Sequence, residues 1–112
     1  MNFKEVLEFQ KEYKCLEKKY RSLSDDLQEF RNVVMAIPLG NSKHFSIITK
    51  TKVLYIVRAR LFCRYLKGSS LRIVYAYFKQ KQIIEFIELY FKGDKENEDH
   101  SRIKKYMSSY QD

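Results

Sequence analysis

Apolar positions recur along this chain with two periods, and each period predicts its own kind of element. Near the start, Val6, Leu7 and Phe9 make a short apolar set that predicts a strand over Lys4 to Phe9, although the same residues would also open a helix. From Lys11 onward Tyr13, Leu16 and Tyr20 fall on one stripe with Lys and Glu between them, which predicts a helix ending near Tyr20. Ser22 with Asp25 three positions later reads as a capping box. Leu23, Leu27, Phe30, Val34 and Ile37 then keep helical spacing until Pro38 and Gly40 stop it. Two helices joined so closely are expected to pack as a hairpin. The Ser/Thr-rich segment Asn41 to Lys52 reads as a loop with one short extended piece around Phe45, Ile47 and Ile48.

After Thr51 the period drops to two. Val53, Tyr55, Val57, Ala59, Leu61 and Cys63 share one side of an extended segment, and Leu54, Ile56, Arg58, Arg60, Phe62 and Arg64 share the other. Lys67-Gly68-Ser69-Ser70 supplies a turn, Leu71 to Phe78 is rich in Ile, Val and Tyr, Lys79 to Gln82 turns again, and Ile83 to Phe91 reads as a third strand. Such short connections predict an antiparallel meander. Past Gly93, the acids Asp94, Glu96, Glu98 and Asp99 precede Ile103, Tyr106, Met107 and Tyr110, which predicts a C-terminal helix whose first turn is negative, as the helix dipole prefers. The expectation is one α+β domain over residues 1–112, with an N-terminal strand and helix hairpin packed on an antiparallel sheet and a closing helix.

Charge changes this picture in one place. Between Phe30 and Ile84 there is no Asp or Glu, yet that stretch holds eleven Lys and Arg, while the rest has eleven against fourteen acids. The whole positive excess of the +8 chain therefore sits in the middle, and clustered cations attract a polyanion through long-range attraction and counterion release. A basic face kept for solubility would not need arginines at alternate strand positions. At 112 residues with 45% hydrophobic content the chain should fold around a core. Cys15 and Cys63 fit no metal spacing and read as buried thiols in a reducing compartment. The absence of any long apolar run points to the cytoplasm and away from membranes.

Arg58, Arg60 and Arg64 on one strand and Arg72 on the next offer planar forks for phosphate oxygens, with Lys67 and Lys95 as further cations. Tyr90 is the tyrosine placed best to stack an unpaired base. With no carboxylate in the middle strands, cleavage of a phosphodiester is expected to need no metal or other cofactor and to use the ribose 2′-hydroxyl as nucleophile, which restricts a cleaved substrate to RNA. Lys92 and His100 are the candidate proton-handling and charge-stabilising groups at the rim, since an imidazole titrates near neutrality.

The run Leu71-Arg72-Ile73-Val74-Tyr75-Ala76-Tyr77, then Ile84-Glu85-Phe86-Ile87-Glu88-Leu89-Tyr90-Phe91-Lys92 and the trailing Gly93 to Asp99, preceded by Lys18 to Leu23 in the hairpin, resembles the RelE/ParE superfamily of toxins from toxin–antitoxin modules. The resemblance implies a small α+β toxin. RelE-type members are endoribonucleases that cut mRNA, on the ribosome or free, inhibit translation, and are covered by a cognate antitoxin; charge complementarity makes an acidic antitoxin segment the expected partner. Carried across, the family's basic residue on the first meander strand falls on Arg58 and the next strand's arginine on Arg72. The basic residue after the last strand falls on Lys92 or Lys95, and the C-terminal acid on or close to His100. A lysine often found two residues before the Arg58 position is Ile56 here, with Arg60 as the compensating cation. That departure keeps open a ParE-type reading, with DNA gyrase as target, and a third reading is a module that binds RNA without cutting it.

Overall fold

The computed structural model describes residues 1–67 and 70–110, so Gly68 and Ser69 of the expected turn lie outside the described residues. Five strands form one sheet in the order β1-β5-β4-β3-β2, where β1 is Asn2–Glu5, β2 Phe45–Lys50, β3 Tyr55–Phe62, β4 Ser70–Phe78 and β5 Ile83–Phe91. β2 to β5 form an antiparallel meander and β1 joins β5 in parallel. Helices α1 (Leu7–Lys19) and α2 (Leu23–Ala36) stand between β1 and β2 in the chain, and α3 (His100–Ser108) closes it.

Several boundaries differ from the sequence reading. The first strand ends at Glu5, and Leu7 and Phe9 belong to α1, where Phe9 is fully buried against Phe86. The segment Asn41 to Lys52 holds a whole edge strand, β2, whose alternation is broken by a register shift between Ile47 and Thr49. Ser22 does precede α2, but its hydroxyl donates to the Asp26 carboxylate at 2.6 Å instead of capping a backbone amide. The acids before α3 are not its first turn. Asp99 is the N-cap, accepting from the Arg102 amide at 3.0 Å, and that bond holds its carboxyl below the usual range. Gly40 turns the chain from α2 towards β2 at φ +64, where a Cβ would enter the Phe45 ring.

The period of two puts Val57, Ala59 and Leu61 of β3 with Ile73 and Tyr75 of β4 beneath α1 and α2. Each helix rests on the sheet, α1 over β5 and α2 over β3, more than on its neighbour. The opposite face carries a second core, in which Leu54, Ile56, Val74, Ala76 and Ile87 pack against Ile103 and Tyr106 of α3. A bulge makes this possible. Val74 pairs with Glu88 while Tyr75 pairs with Phe86, so Ile87 is an extra residue, and Ile87 and Glu88 both serve the α3 side while Phe86 and Leu89 serve the other. With nine residues α3 spans about 13 Å, less than half of the roughly 30 Å of β4 or β5, so it covers only one end of that face.

β1 pairs only as far as Phe86, which leaves the outer edge of β5 open beyond it. An ion pair fills the edge. Arg102 of α3 donates to both oxygens of Glu12 of α1 at 2.9 and 3.0 Å and to the Ile87 carbonyl at 3.0 Å, while the Leu89 amide donates to Glu12 at 3.1 Å. This hydrogen bonding to Glu12 raises the Arg102 pKa further. Helices from opposite faces are thereby tied across the sheet edge. Arg102→Ala should lower stability by about 2 kcal/mol in urea denaturation and should raise amide exchange in α3 more than in α1.

Candidate nucleic-acid interface

On the face that α3 leaves open, outward positions of three strands fall in register. Arg60 of β3 lies opposite Arg72 of β4, and Arg72 lies opposite Tyr90 of β5. One pleat along, Arg58 pairs with Val74, and Val74 with Glu88. Arg58, Arg72, Tyr90, Lys92, Glu96 and Asn97 line a cleft of about 320 Å³. The expected grouping of Arg58, Arg60 and Arg72 on one sheet surface is therefore present.

The charges there are crowded. Partial burial, then the neighbouring Arg60 and Arg58, pull the Arg72 pKa below its ordinary value, against the opposing effect of Tyr90. Arg72 has one neutral partner, donating to Ser70 Oγ at 2.9 Å. An anion in the cleft would relieve this repulsion. Tyr90 is buried, and its phenol is pushed up to about 12 by burial and then by Glu98 and Glu88, against Arg58 and Arg72. At neutral pH it is a proton donor facing the arginines.

Carboxylates that the chain order kept apart from the arginines are brought to them by the loop before α3. Glu98 is almost fully buried. One of its oxygens accepts from Arg58 Nη1 at 3.2 Å, and the other lies 3.8 Å from His100 Nε2. Glu88, with no exposure at all, accepts from Lys95 Nζ and from the Asp99 amide at 2.9 Å. These contacts correct the premise that no carboxylate lies near the cationic face. Among the described residues, no group of three or more His, Cys, Asp or Glu is placed to hold a metal ion.

Four candidates are placed differently from the sequence reading. Arg64 lies past the end of β3, where its guanidinium pairs with Glu29 and approaches Asp26 at 3.5 Å, so it has left the arginine face for α2. Lys95 is committed to Glu88, with Nζ 4.9 Å above the Tyr90 ring. That cap and its burial deny Tyr90 the open ring face that base stacking requires. His100 does not line the cleft; it borders a groove between β2 and α3 and meets the site only through Glu98. Lys92 does line the cleft, and Lys67 is exposed in the turn after β3. Ile56, at the position where a lysine was noted as missing, is fully buried under α3. Cys15 is exposed, contrary to the reading of both cysteines as buried; Cys63 is buried.

The residues that sequence reasoning missed are Glu96, Asn97 and Glu98. Their signal was the acidic run itself, which the helix-dipole argument assigned to the first turn of a helix that in fact starts at His100. A Tyr90→Phe protein should lose one phenol that ionises near pH 12 instead of 10 in an ultraviolet titration. If the lost phenol titrates near 10, the burial of Tyr90 beside two acids is wrong.

No protein-family model matches the sequence, and no curated protein matches it. Among solved structures, a chain of the archaeal RelE–RelB complex from Pyrococcus horikoshii OT3 is similar in fold, with 22% identity and a TM-score of 0.64, over 82% of this chain and 94% of that one. The sheet, the two N-terminal helices and the C-terminal helix of this protein thus form a RelE-like fold.

Proposed function

We propose that this protein is the toxin of a toxin–antitoxin module and that it inhibits translation by cleaving mRNA without a metal ion. The observation that carries the reading is the in-register set of Arg58, Arg60 and Arg72 on the sheet end that α3 leaves uncovered. The RelE-like fold supports it, and because the similar structure is a RelE–RelB complex, a cognate antitoxin is the expected partner here.

In this reading the scissile phosphate enters the cleft and its non-bridging oxygens meet the forks of Arg72 and Arg58. Arg58 must then share itself between the phosphate and Glu98. The 2′-hydroxyl attacks phosphorus and gives its proton to Glu96, the exposed carboxylate of the cleft wall. The bond from phosphorus to the 5′-oxygen breaks, Lys92 protonates the departing oxygen, and the products are a 2′,3′-cyclic phosphate and a 5′-hydroxyl. His100 acts through Glu98 as a positioning group. Metal independence now rests on the engagement of Glu88 and Glu98 by cations and a backbone amide, which leaves neither free as a ligand.

Induction in a growing host tests this directly. The expected result is arrest of translation with cut mRNA, insensitivity of the purified enzyme to chelators, and a loss of about 10²- to 10³-fold in cleavage rate for Arg72→Ala at unchanged melting temperature. Intact mRNA with arrested DNA supercoiling would replace this reading with gyrase inhibition. RNA bound but never cut would leave a passive RNA-binding module.

A further inference from the structure

In sequence α1 is nearly balanced, with four lysines against three glutamates over Leu7–Lys19, but in space it is not. Glu12 is turned to Arg102, with which it pairs at 2.9 Å, and Glu17 is turned to Tyr13, whose phenol donates to it at 3.1 Å. Lys11, Lys14, Lys18 and Lys19 are all exposed, and among the described residues none of the four takes part in an ion pair. Lys11 and Lys14 are three apart and Lys14 and Lys18 four apart, so like charges are neighbours along the helix, an arrangement that weakens it. A face kept only for solubility would intersperse its signs.

This face joins the arginine cleft at the end of β5. Lys11, Cys15 and Lys19 of α1 with Leu89, Tyr90 and Phe91 of β5 are among the residues that line a groove of about 330 Å³, and Tyr90 also lines the arginine cleft. Of the groove's two carboxylates, Glu12 is neutralised by Arg102, which leaves Asp94 against Lys11 and Lys19. Lys92 of the cleft wall follows Phe91 of the groove directly in the chain, so an exposed cation stands where the two meet. Residues three or four positions apart on a helix lie about 5 to 6 Å from each other, comparable to the step between successive phosphates of a single strand.

We infer that the exposed lysine face of α1 is a second phosphate track, on which the backbone of single-stranded RNA flanking the scissile nucleotide continues after it leaves the arginine cleft across the end of β5 at Lys92. The inference rests on the RNA reading above and adds where the rest of the substrate lies. Ammonium groups on flexible stems suit this task, because they meet phosphates as point charges in no fixed geometry, whereas the scissile phosphate is held by arginine forks. Binding along α1 is therefore to backbone charge, without base preference. Continuity with the cleft favours RNA over an acidic protein segment. A strand gripped at one phosphate has to leave the cleft over one of its borders, and this border carries cations.

The test uses oligouridines of four and of twelve nucleotides whose 2′-hydroxyls are replaced by fluorine, so that they cannot be cut, and measures binding by fluorescence anisotropy over a series of KCl concentrations. With wild-type protein the fall of log affinity with log salt should be steeper for the longer RNA by about 2 to 3, from four lysines at about 0.7 each. Lys11→Gln, Lys14→Gln, Lys18→Gln and Lys19→Gln combined should remove that excess, keep the melting temperature and leave the affinity for the shorter RNA within about twofold of wild type. The same four changed to Arg should retain the excess. So should Lys4→Gln, Lys79→Gln, Lys81→Gln and Lys105→Gln combined, an equal loss of charge at exposed positions elsewhere. Arg72→Ala should weaken both RNAs alike. Equal slopes for the two lengths, an excess that survives the glutamines on α1, or one that the control variant loses equally overturns the track, while binding of the shorter RNA still supports the cleft. Failure of both RNAs to bind overturns the RNA reading together with the track.

Discussion

The outer edge of β5 beyond Phe86 has backbone groups that β1 is too short to reach, and the Glu12–Arg102 pair satisfies them. An open edge inside a fold has to be paired or covered. Here one bidentate pair does so while holding a helix from each face. Because Arg102 sits one turn into α3, its position also fixes where α3 begins and therefore how the preceding loop runs. The Asp99 amide meets Glu88 and Glu98 meets Arg58 only because the helix starts where it does. The cleft is the space left when a nine-residue helix is pinned at one end of a longer sheet.

Charge is sorted in space quite differently from its order in the chain. Acids near both ends return to specific cations of the middle: Glu98 to Arg58, and Asp26 and Glu29 to Arg64. Arg60 and Arg72 are left facing each other across two strands. Repulsion between them is part of why Arg72 holds its proton less tightly than a free arginine, and it is the sort of imbalance that a bound anion corrects. Glu98 has two consequences. It orients Arg58, and it competes for Arg58 with any incoming phosphate.

Much of the architecture was legible in residue spacing. Alternation in β3, the Ile/Val/Tyr content of β4 and β5, and the stripe of α2 are local signals, and each element formed where its pattern indicated. The misreadings share a cause. β2 was hidden because its register breaks at Ile47 and Thr49, so no period of two survives. Leu7 and Phe9 look like strand residues until Phe86 is available to receive Phe9. Arg64 keeps the parity of Arg58 and Arg60 in the sequence, but the strand ends at Phe62 and parity means nothing beyond it.

The amino-acid sequence by itself determined the order of elements, the cationic middle and the alternation that turns Arg58 and Arg60 to one side, because these depend on neighbours within a few positions. Tertiary structure alone decided which cations remain available. That outcome depends on pairs such as Arg58 with Glu98 or Arg102 with Glu12, separated by 40 and 90 positions, whose meeting is set by where a bulge, a short helix and an unfilled sheet edge place them.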